Sequence, residues 1–407
     1  MINFLWGLMG IAVLFAIAFL LSERKSHIKV RTILGGLAIQ LLFAFLVLKW
    51  EPGTRAFKGL TESVQNLVGY ASEGIGFLFG SLGDPSQPTG FIFAFNVLTI
   101  IIFFSSLISV LYHIGVMQWI IRILGGGLSK LLGTSKAESL SAAANIFVGQ
   151  TEAPLVIKPY IAKMTKSELF AVMTGGLASV AGSVLFGYAA LGVPLEYLLA
   201  ASFMAAPAGL IMAKMLIPET EMPETMEGVK MESDEDTANV IDAAAKGASV
   251  GLQLALNVGA MLLAFIALIA LLNGILGFIG GIFGASNLTL EYILGFVFAP
   301  LAFIIGVPWE EAVKAGSFIG QKLVLNEFVA YSNFAPQLDA LSDKTVAIIS
   351  FALCGFANLS SIAILLGGLG GMAPSRRQDI ARLGFKAIAA GTLANLLSAA
   401  IAGMFMF

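Results

Sequence analysis

The chain has 407 residues, of which 58% are hydrophobic and only 12% charged, whereas an ordinary soluble domain is roughly a quarter charged. That composition excludes a soluble globular enzyme, and it excludes disordered, collagenous or coiled-coil chains, because apolar residues dominate and the 45 glycines follow no three-residue period. One cysteine and two histidines rule out a disulfide framework and leave little for a metal site or a Ser-His-Asp arrangement, and 23 basic against 25 acidic residues argue against nucleic acid as a partner.

What remains is an all-α, multi-spanning membrane protein. Asn3–Leu21 is apolar, too long for a signal-peptide core and without a preceding basic residue, so it reads as a retained span. Arg24, Lys25, Lys29 and Arg31 follow within ten residues, and the positive-inside rule places that loop in the cytoplasm and the N-terminus outside. A second span over 33–48 returns the chain to the outer face, where residues up to about 89 form an amphipathic segment containing Glu62, Tyr70 and Glu73. Residues 90–112 cross inward. Val116, Ile120, Leu124, Leu128 and Leu131 then recur at helical spacing with Arg122 and Lys130 between them, which predicts a helix along the inner interface.

Further along, 194–216 reads as a span ending inside, before an acidic linker over 218–242 with no apolar run. The next span lies within 248–278. Residues 288–307 are apolar but interrupted by Pro300, and their pattern fits a buried or an interfacial element equally. After Arg376, Arg377, Arg382 and Lys386, residues 387–407 form a last span running outward, so that the C-terminus also lies outside.

The most informative feature is an internal repeat. Gly176-Leu-Ala-Ser179-Val-Ala-Gly-Ser183 matches Gly355-Phe-Ala-Asn358-Leu-Ser-Ser361 in its order of small, apolar and small polar residues. Upstream of each lies a carboxylate in an apolar setting: Glu152 in Gly149-Gln-Thr-Glu-Ala-Pro154, and Glu327 in Leu325-Asn-Glu-Phe-Val-Ala-Tyr331. The stretch 139–159 is long enough to cross a bilayer, yet its middle carries Asn145, Gln150, Thr151 and Glu152, and Pro154 removes a helical donor. It therefore reads as a re-entrant hairpin. A carboxylate at mid-membrane costs roughly 2.5–3.5 kcal/mol, so Glu152 and Glu327 must face protein or a wet cavity. Two units, each an interrupted hairpin followed by an interrupted span, are what an inverted-repeat transporter requires. Against this stand close helix packing through the small residues, and structural ion pairs, for which Lys158 and Lys322 are the nearest bases. Cys354 reads as packing, and His27 and His113 as interfacial.

The two carboxylate segments and Cys354-Gly-Phe-Ala-Asn-Leu-Ser-Ser361 resemble the signature segments of the concentrative nucleoside transporters. The resemblance implies eight spans with two re-entrant hairpins, interfacial helices and an inverted repeat, in a homotrimer embedded in lipid in the bacterial inner membrane. It implies import of nucleosides by symport, with no enzymatic activity and no cofactor beyond a coupling ion. Residues 1–112 would be scaffold spans 1–3, 113–217 the first transport repeat, 218–246 the linker, 247–287 scaffold span 6, and 288–407 the second transport repeat, working as an elevator.

Carried over residue by residue, Gln150, Thr151 and Glu152 would address the nucleobase, Glu327 with Asn358 and Ser361 the ribose hydroxyls, and Val184 and Phe356 the apolar face of the base. The implied Na+ site is Asn145 and Ser179 with the carbonyls of Val148 and Val180. Proton-coupled members carry Ser after the Gln and lack the Asn and Ser pair, so this chain falls on the sodium side; proton coupling on the same fold, or transport of another small polar solute, is the alternative. The contact from span 6 is not placed by the sequence, with Leu254 as a candidate.

Overall fold

In the computed structural model the described residues are 2–84, 86–87, 91–226, 228–229, 237–284 and 287–406, and among them the regular structure is entirely helical. The opening spans are α1 (Ile2–Leu21) and α2 (Val30–Leu48), each near 30 Å at 1.5 Å per residue. Then follow the amphipathic α3 (Glu51–Phe79), a short α4 (Phe93–Asn96) and α5 (Leu98–His113). The interfacial pattern forms α6 (Val116–Leu132), which stops at Gly133 in the left-handed region with φ 71°. Its last carbonyls accept from the Arg31 guanidinium and, at 2.9 Å, from the Thr32 hydroxyl, so the basic loop caps this helix.

The first repeat continues with α7 (Lys136–Ala144), irregular backbone, a 3-10 segment (Ala153–Lys163), α8 (Lys166–Ala178), α9 (Gly182–Ala190) and α10 (Leu195–Leu216). Ser135 with Glu138, and Thr165 with Glu168, form capping boxes that start α7 and α8. At nine residues, α7 reaches about 14 Å, far short of a crossing, so its chain must turn back.

After the linker comes α11 (Val240–Ile282), 43 residues long. It begins earlier than the expected boundary at 247, because the Asn239 side chain caps it by accepting from the N–H groups of Ile241 and Asp242. Residues 227 and 230–236 of the expected linker lie outside the described residues.

The second repeat comprises α12 (Leu290–Ile304), α13 (Trp309–Val324), α14 (Glu327–Phe334), α15 (Asp343–Leu353), α16 (Ser361–Met372) and α17 (Arg377–Phe405). Pro300 does not interrupt α12; that helix ends instead at Gly306, φ 110°, and the pair α12–α13 folds back through a 115° bend. The two cross closely because a Cβ at Gly316 would lie 2.6 Å from the Ala299 nitrogen. Among the described residues seven helical units can cross a membrane by length and composition: α1, α2, α4–α5, α8–α9, α10, α11 and α17; the bent pair α12–α13 would make an eighth if it is one span. The helices α15 and α16, 11 and 12 residues long, flank a break like that between α8 and α9.

The most deeply buried layer is α8, α10, α15 and α17. Packing divides the remaining spans unevenly. The pair α5 and α11 is zipped together by Gly247 and Gly251, where a Cβ would meet Ser109 and Ser105 at 2.6 and 2.7 Å. By contrast α1 lies along α17 and α2 along α10. Glu23, just after α1, accepts from Lys166 of α8 at 2.7 Å and from Lys386 of α17 at 3.0 Å, and Gln40 of α2 donates to Met204 O of α10 and to Ser398 of α17.

Candidate functional site

Both broken spans open at the same depth, and their loose backbone is joined. The Phe356 N–H in the second break donates to Ser179 C=O in the first at 3.0 Å. Each break is also tied to the hairpin of its own repeat: Gly182 N–H donates to Phe147 C=O at 3.0 Å, and Leu359 N–H to Leu323 C=O at 3.2 Å. Ser202 of α10 donates to Ile146 C=O at 2.7 Å. Backbone polar groups that helices normally satisfy internally are thus satisfied between elements, as they must be away from water.

Around this junction lies a cavity of about 130 Å³. All eight residues expected at the substrate site line it: Gln150, Thr151, Glu152, Val184, Glu327, Phe356, Asn358 and Ser361. Asn326 caps α14 by accepting from Val329 N–H at 2.9 Å, which sets Glu327 in the first turn, where the helix dipole favours its charge. One Glu327 oxygen accepts from the Tyr188 hydroxyl at 3.3 Å and the other from the Asn358 amide at 2.9 Å. The Asn358 carbonyl oxygen in turn accepts from the N–H and hydroxyl of Ser361 at 3.0 and 3.1 Å, so its amide is locked in orientation. Opposite them, Gln150 Oε1 and Glu152 Oε2 are buried oxygens without a protein partner. Glu152 folds back over Gly149, where a Cβ would stand 2.5 Å from Oε2.

The ion-pair reading of the carboxylates fails for Lys322, whose Nζ donates to Ala352 C=O at 2.8 Å and Asn395 Oδ1 at 2.7 Å rather than to Glu327. Lys158 is exposed. Cys354 is buried, its thiol facing Leu198 C=O at 3.8 Å.

Of the four residues expected to hold an ion, Asn145 and Ser179 both lie against Gly175. Asn145 is the C-cap of α7 and donates to Ser141 C=O at 3.0 Å, leaving Oδ1 buried and unpartnered. The Ser179 hydroxyl donates to Gly175 C=O at 3.0 Å, keeping its lone pairs. Both side chains lie along Gly175 and Gly176, and Val148 and Val180 are buried in the two backbone segments that meet there. The donor set consists of neutral oxygens, which suits an alkali cation.

Sequence reasoning missed Tyr188, and it left the α11 wall open. That wall is Leu254, Val258, Met261 and Leu262. Tyr188 carried a signal, a hydroxyl inside an apolar helix. The α11 residues carried none, because they sit among many similar apolar residues of a 43-residue helix.

A membrane protein of several apolar helices, with two broken helix pairs converging on a largely apolar cavity that carries a few polar side chains, is by class a small-solute transporter. Residues 197–403 match the family described as Na+ dependent nucleoside transporter C-terminus, 9–82 its N-terminus, and 94–195 the family described as nucleoside recognition. The chain belongs to the concentrative nucleoside transporter family, which the matching family models describe as Na+ dependent and which consists of permeases and not enzymes.

Among its relatives, the Helicobacter pylori nucleoside permease NupC is 52% identical over 99% of this chain and 98% of its own length. The Bacillus subtilis uncharacterized transporter YutK is 66% identical over 99% of this chain and 100% of its own. Of solved structures, CNTnw in an inward-facing substrate-bound state is 58% identical with TM-score 0.94, covering 99% of this chain and 98% of that one. A variant of CNTnw in an outward-facing state superposes with TM-score 0.97 at 58% identity, over 100% of this chain and 99% of that one.

The cavity wall makes a test of sign possible. Glycine to alanine inside a helix ordinarily stabilises by about 1 kcal/mol, but a Cβ at Gly176 would lie 2.7 Å from Gln150 Cβ. Gly176→Ala should therefore destabilise the purified protein by about 1–3 kcal/mol, whereas Gly175→Ala, whose Cβ meets Asn145 Nδ2 at 3.4 Å, should be tolerated. Thermal melting of the two variants in detergent checks this, and equal melting temperatures would remove Gln150 from the α8 surface.

Proposed function

We propose that this protein is a secondary active symporter importing nucleosides down a Na+ gradient by an elevator-type movement. The observation that carries the reading is the cavity in which an anchored carboxylate, Glu327, faces two unpartnered buried oxygens, Gln150 Oε1 and Glu152 Oε2. Glu327 accepts from Tyr188 and Asn358 and keeps lone pairs for vicinal ribose hydroxyls. Gln150, Thr151 and Glu152 match the donor and acceptor edge of a base, directly or through water. Val184 and Phe356 of the breaks and Leu254 of α11 cover its apolar face.

Glu327→Gln keeps the shape and removes a charge-assisted bond of about 1.5–3 kcal/mol, so uptake of uridine should fall at least about tenfold while the protein remains folded. A 2'-deoxynucleoside should lose less. Undiminished uridine affinity would exclude Glu327 from the site.

Coupling follows from linkage, since an ion drives accumulation only by favouring the substrate-competent state. Asn145 and Ser179, with the carbonyls of Val148 and Val180, are the Na+ ligands in this proposal, and the orphan Asn145 Oδ1 supports it. Both side chains are neutral and cannot carry a proton in the physiological range. Asn145→Ala and Ser179→Ala should each weaken the Na+ dependence of uptake into proteoliposomes and lower nucleoside affinity at fixed Na+. Wild-type uptake that persists in choline and follows an imposed pH gradient would instead make Glu152 the proton carrier.

In the membrane the proposal sets both termini outside, the basic loop and acidic linker in the cytoplasm of a bacterial cell, and three copies together. The moving part holds the hairpins, α6, α8–α10, α12 and α15–α17, sliding against a scaffold of α1–α5 and α11. The packing of α1 on α17 and of α2 on α10 favours assigning α1 and α2 to the moving part as well. Two aromatic contacts separate these assignments: Phe104 of α5 stacks on Phe186 of α9 at 3.5 Å, and Phe45 of α2 meets Phe405 of α17 at 6.1 Å. A short bifunctional thiol reagent bridging Phe104→Cys to Phe186→Cys should arrest uptake, and bridging Phe45→Cys to Phe405→Cys should not. Arrest by the second bridge would return α2 to the fixed frame.

A further inference from the structure

Lys322 is the buried charge that the transport reading leaves unused. It lies in the last turn of α13, 3% exposed, five residues before Glu327. A lysine in the interior of a membrane protein is costly and marks function by default. Its two hydrogen-bond partners are neutral oxygens: Ala352 C=O in the last turn of α15 at 2.8 Å and Asn395 Oδ1 of α17 at 2.7 Å.

The orientation of Asn395 is fixed from its other end, where Nδ2 donates to Ala178 C=O at 2.6 Å and to Cys354 C=O at 3.0 Å. Asn395 must therefore offer its oxygen to Lys322. The carbonyls gathered here are those with which α8 and α15 end at their breaks. Each helix C-terminus carries roughly half a negative charge, so one positive charge at this point balances the two. A Cβ at Gly355 would lie 2.2 Å from Asn395 Oδ1, so the junction also depends on that glycine.

The comparison that matters is between the two repeats. At the first break, the hairpin contributes Asn145, seven residues before Glu152, whose Oδ1 is a buried oxygen without a protein partner. At the second break, the hairpin contributes Lys322, five residues before Glu327, whose ammonium is held by two oxygens.

We infer that Lys322 is a tethered cation, a positioning residue whose ammonium does at the second break what a bound Na+ does at the first. One half of the site is then organised by a mobile ion and can sense the gradient. The other half is organised by a side chain that is part of the protein and does not leave with the gradient. Because Asn395 bonds to Ala178, the residue before Ser179, Lys322 also braces the ion-binding half from behind. The inference takes the Na+ reading of Asn145 and Ser179 as its point of comparison.

The test is chemical rescue. Lys322→Ala should lower uridine affinity of the purified protein at least about tenfold, and methylammonium chloride should restore most of it while choline chloride at equal concentration does not. Lys322→Arg should bind uridine far better than Lys322→Met, which matches lysine in length but cannot donate. If Lys322→Ala does not fold, the comparison of Arg with Met by melting temperature and uridine binding decides alone. Lys322→Met binding like wild type, Arg behaving no better than Met, or rescue by choline as strong as by methylammonium would each overturn the inference. Wild-type uridine affinity measured in Na+ and in choline separates the two readings: indifference to Na+ defeats the Na+ site and leaves the Lys322 outcome to stand on its own variants.

Discussion

A helix that stops inside a membrane leaves carbonyls and N–H groups with no water to receive them, and this architecture depends on how that demand is met. Here α8 and α15 both stop at mid-span. Their ends are satisfied by each other through Phe356 and Ser179, by their hairpins through Gly182 with Phe147 and Leu359 with Leu323, and by Asn395 and Lys322 from behind. None of these bonds is local in sequence. The break is therefore stable only when both repeats are docked, and the same docking that satisfies the backbone encloses the cavity.

The cost of that arrangement is carried by small residues. Gly176 lets Gln150 lie on α8, Gly149 lets Glu152 fold over its own backbone, and Gly355 makes room for Asn395. Larger side chains would separate elements whose hydrogen bonds depend on close approach. Gln150 Oε1, Glu152 Oε2 and Asn145 Oδ1 are among the buried polar atoms left without a partner after this internal pairing, and the proposed function assigns them to substrate and ion. A transport site of this kind is a backbone junction with a few deliberately unfilled positions.

Much of this was legible beforehand, and for identifiable reasons. Long apolar runs, the basic loop at Arg24 to Arg31 and the carboxylates Glu152 and Glu327 in apolar surroundings are local signals, and each has one cheap physical explanation. The repeat was visible because both breaks use small residues in the same order. The start of α11 and the continuity of α12 through Pro300 were not, since a capping Asn239 and a tolerated proline depend on what the flanking chain packs against.

By itself, then, the sequence determined that the chain lives in a membrane and which polar side chains stand at the interruptions, because burial in lipid makes each of those choices too costly to be accidental. Only the tertiary structure decided what those side chains meet. That Tyr188 anchors Glu327, that α11 supplies an apolar wall, that α1 and α2 pack on α17 and α10, and that Lys322 turns away from Glu327 toward the ends of broken helices are contacts between residues remote in sequence. Helical periodicity says which face of a helix is apolar, but in a chain apolar on nearly every face it cannot say which neighbour that face will find.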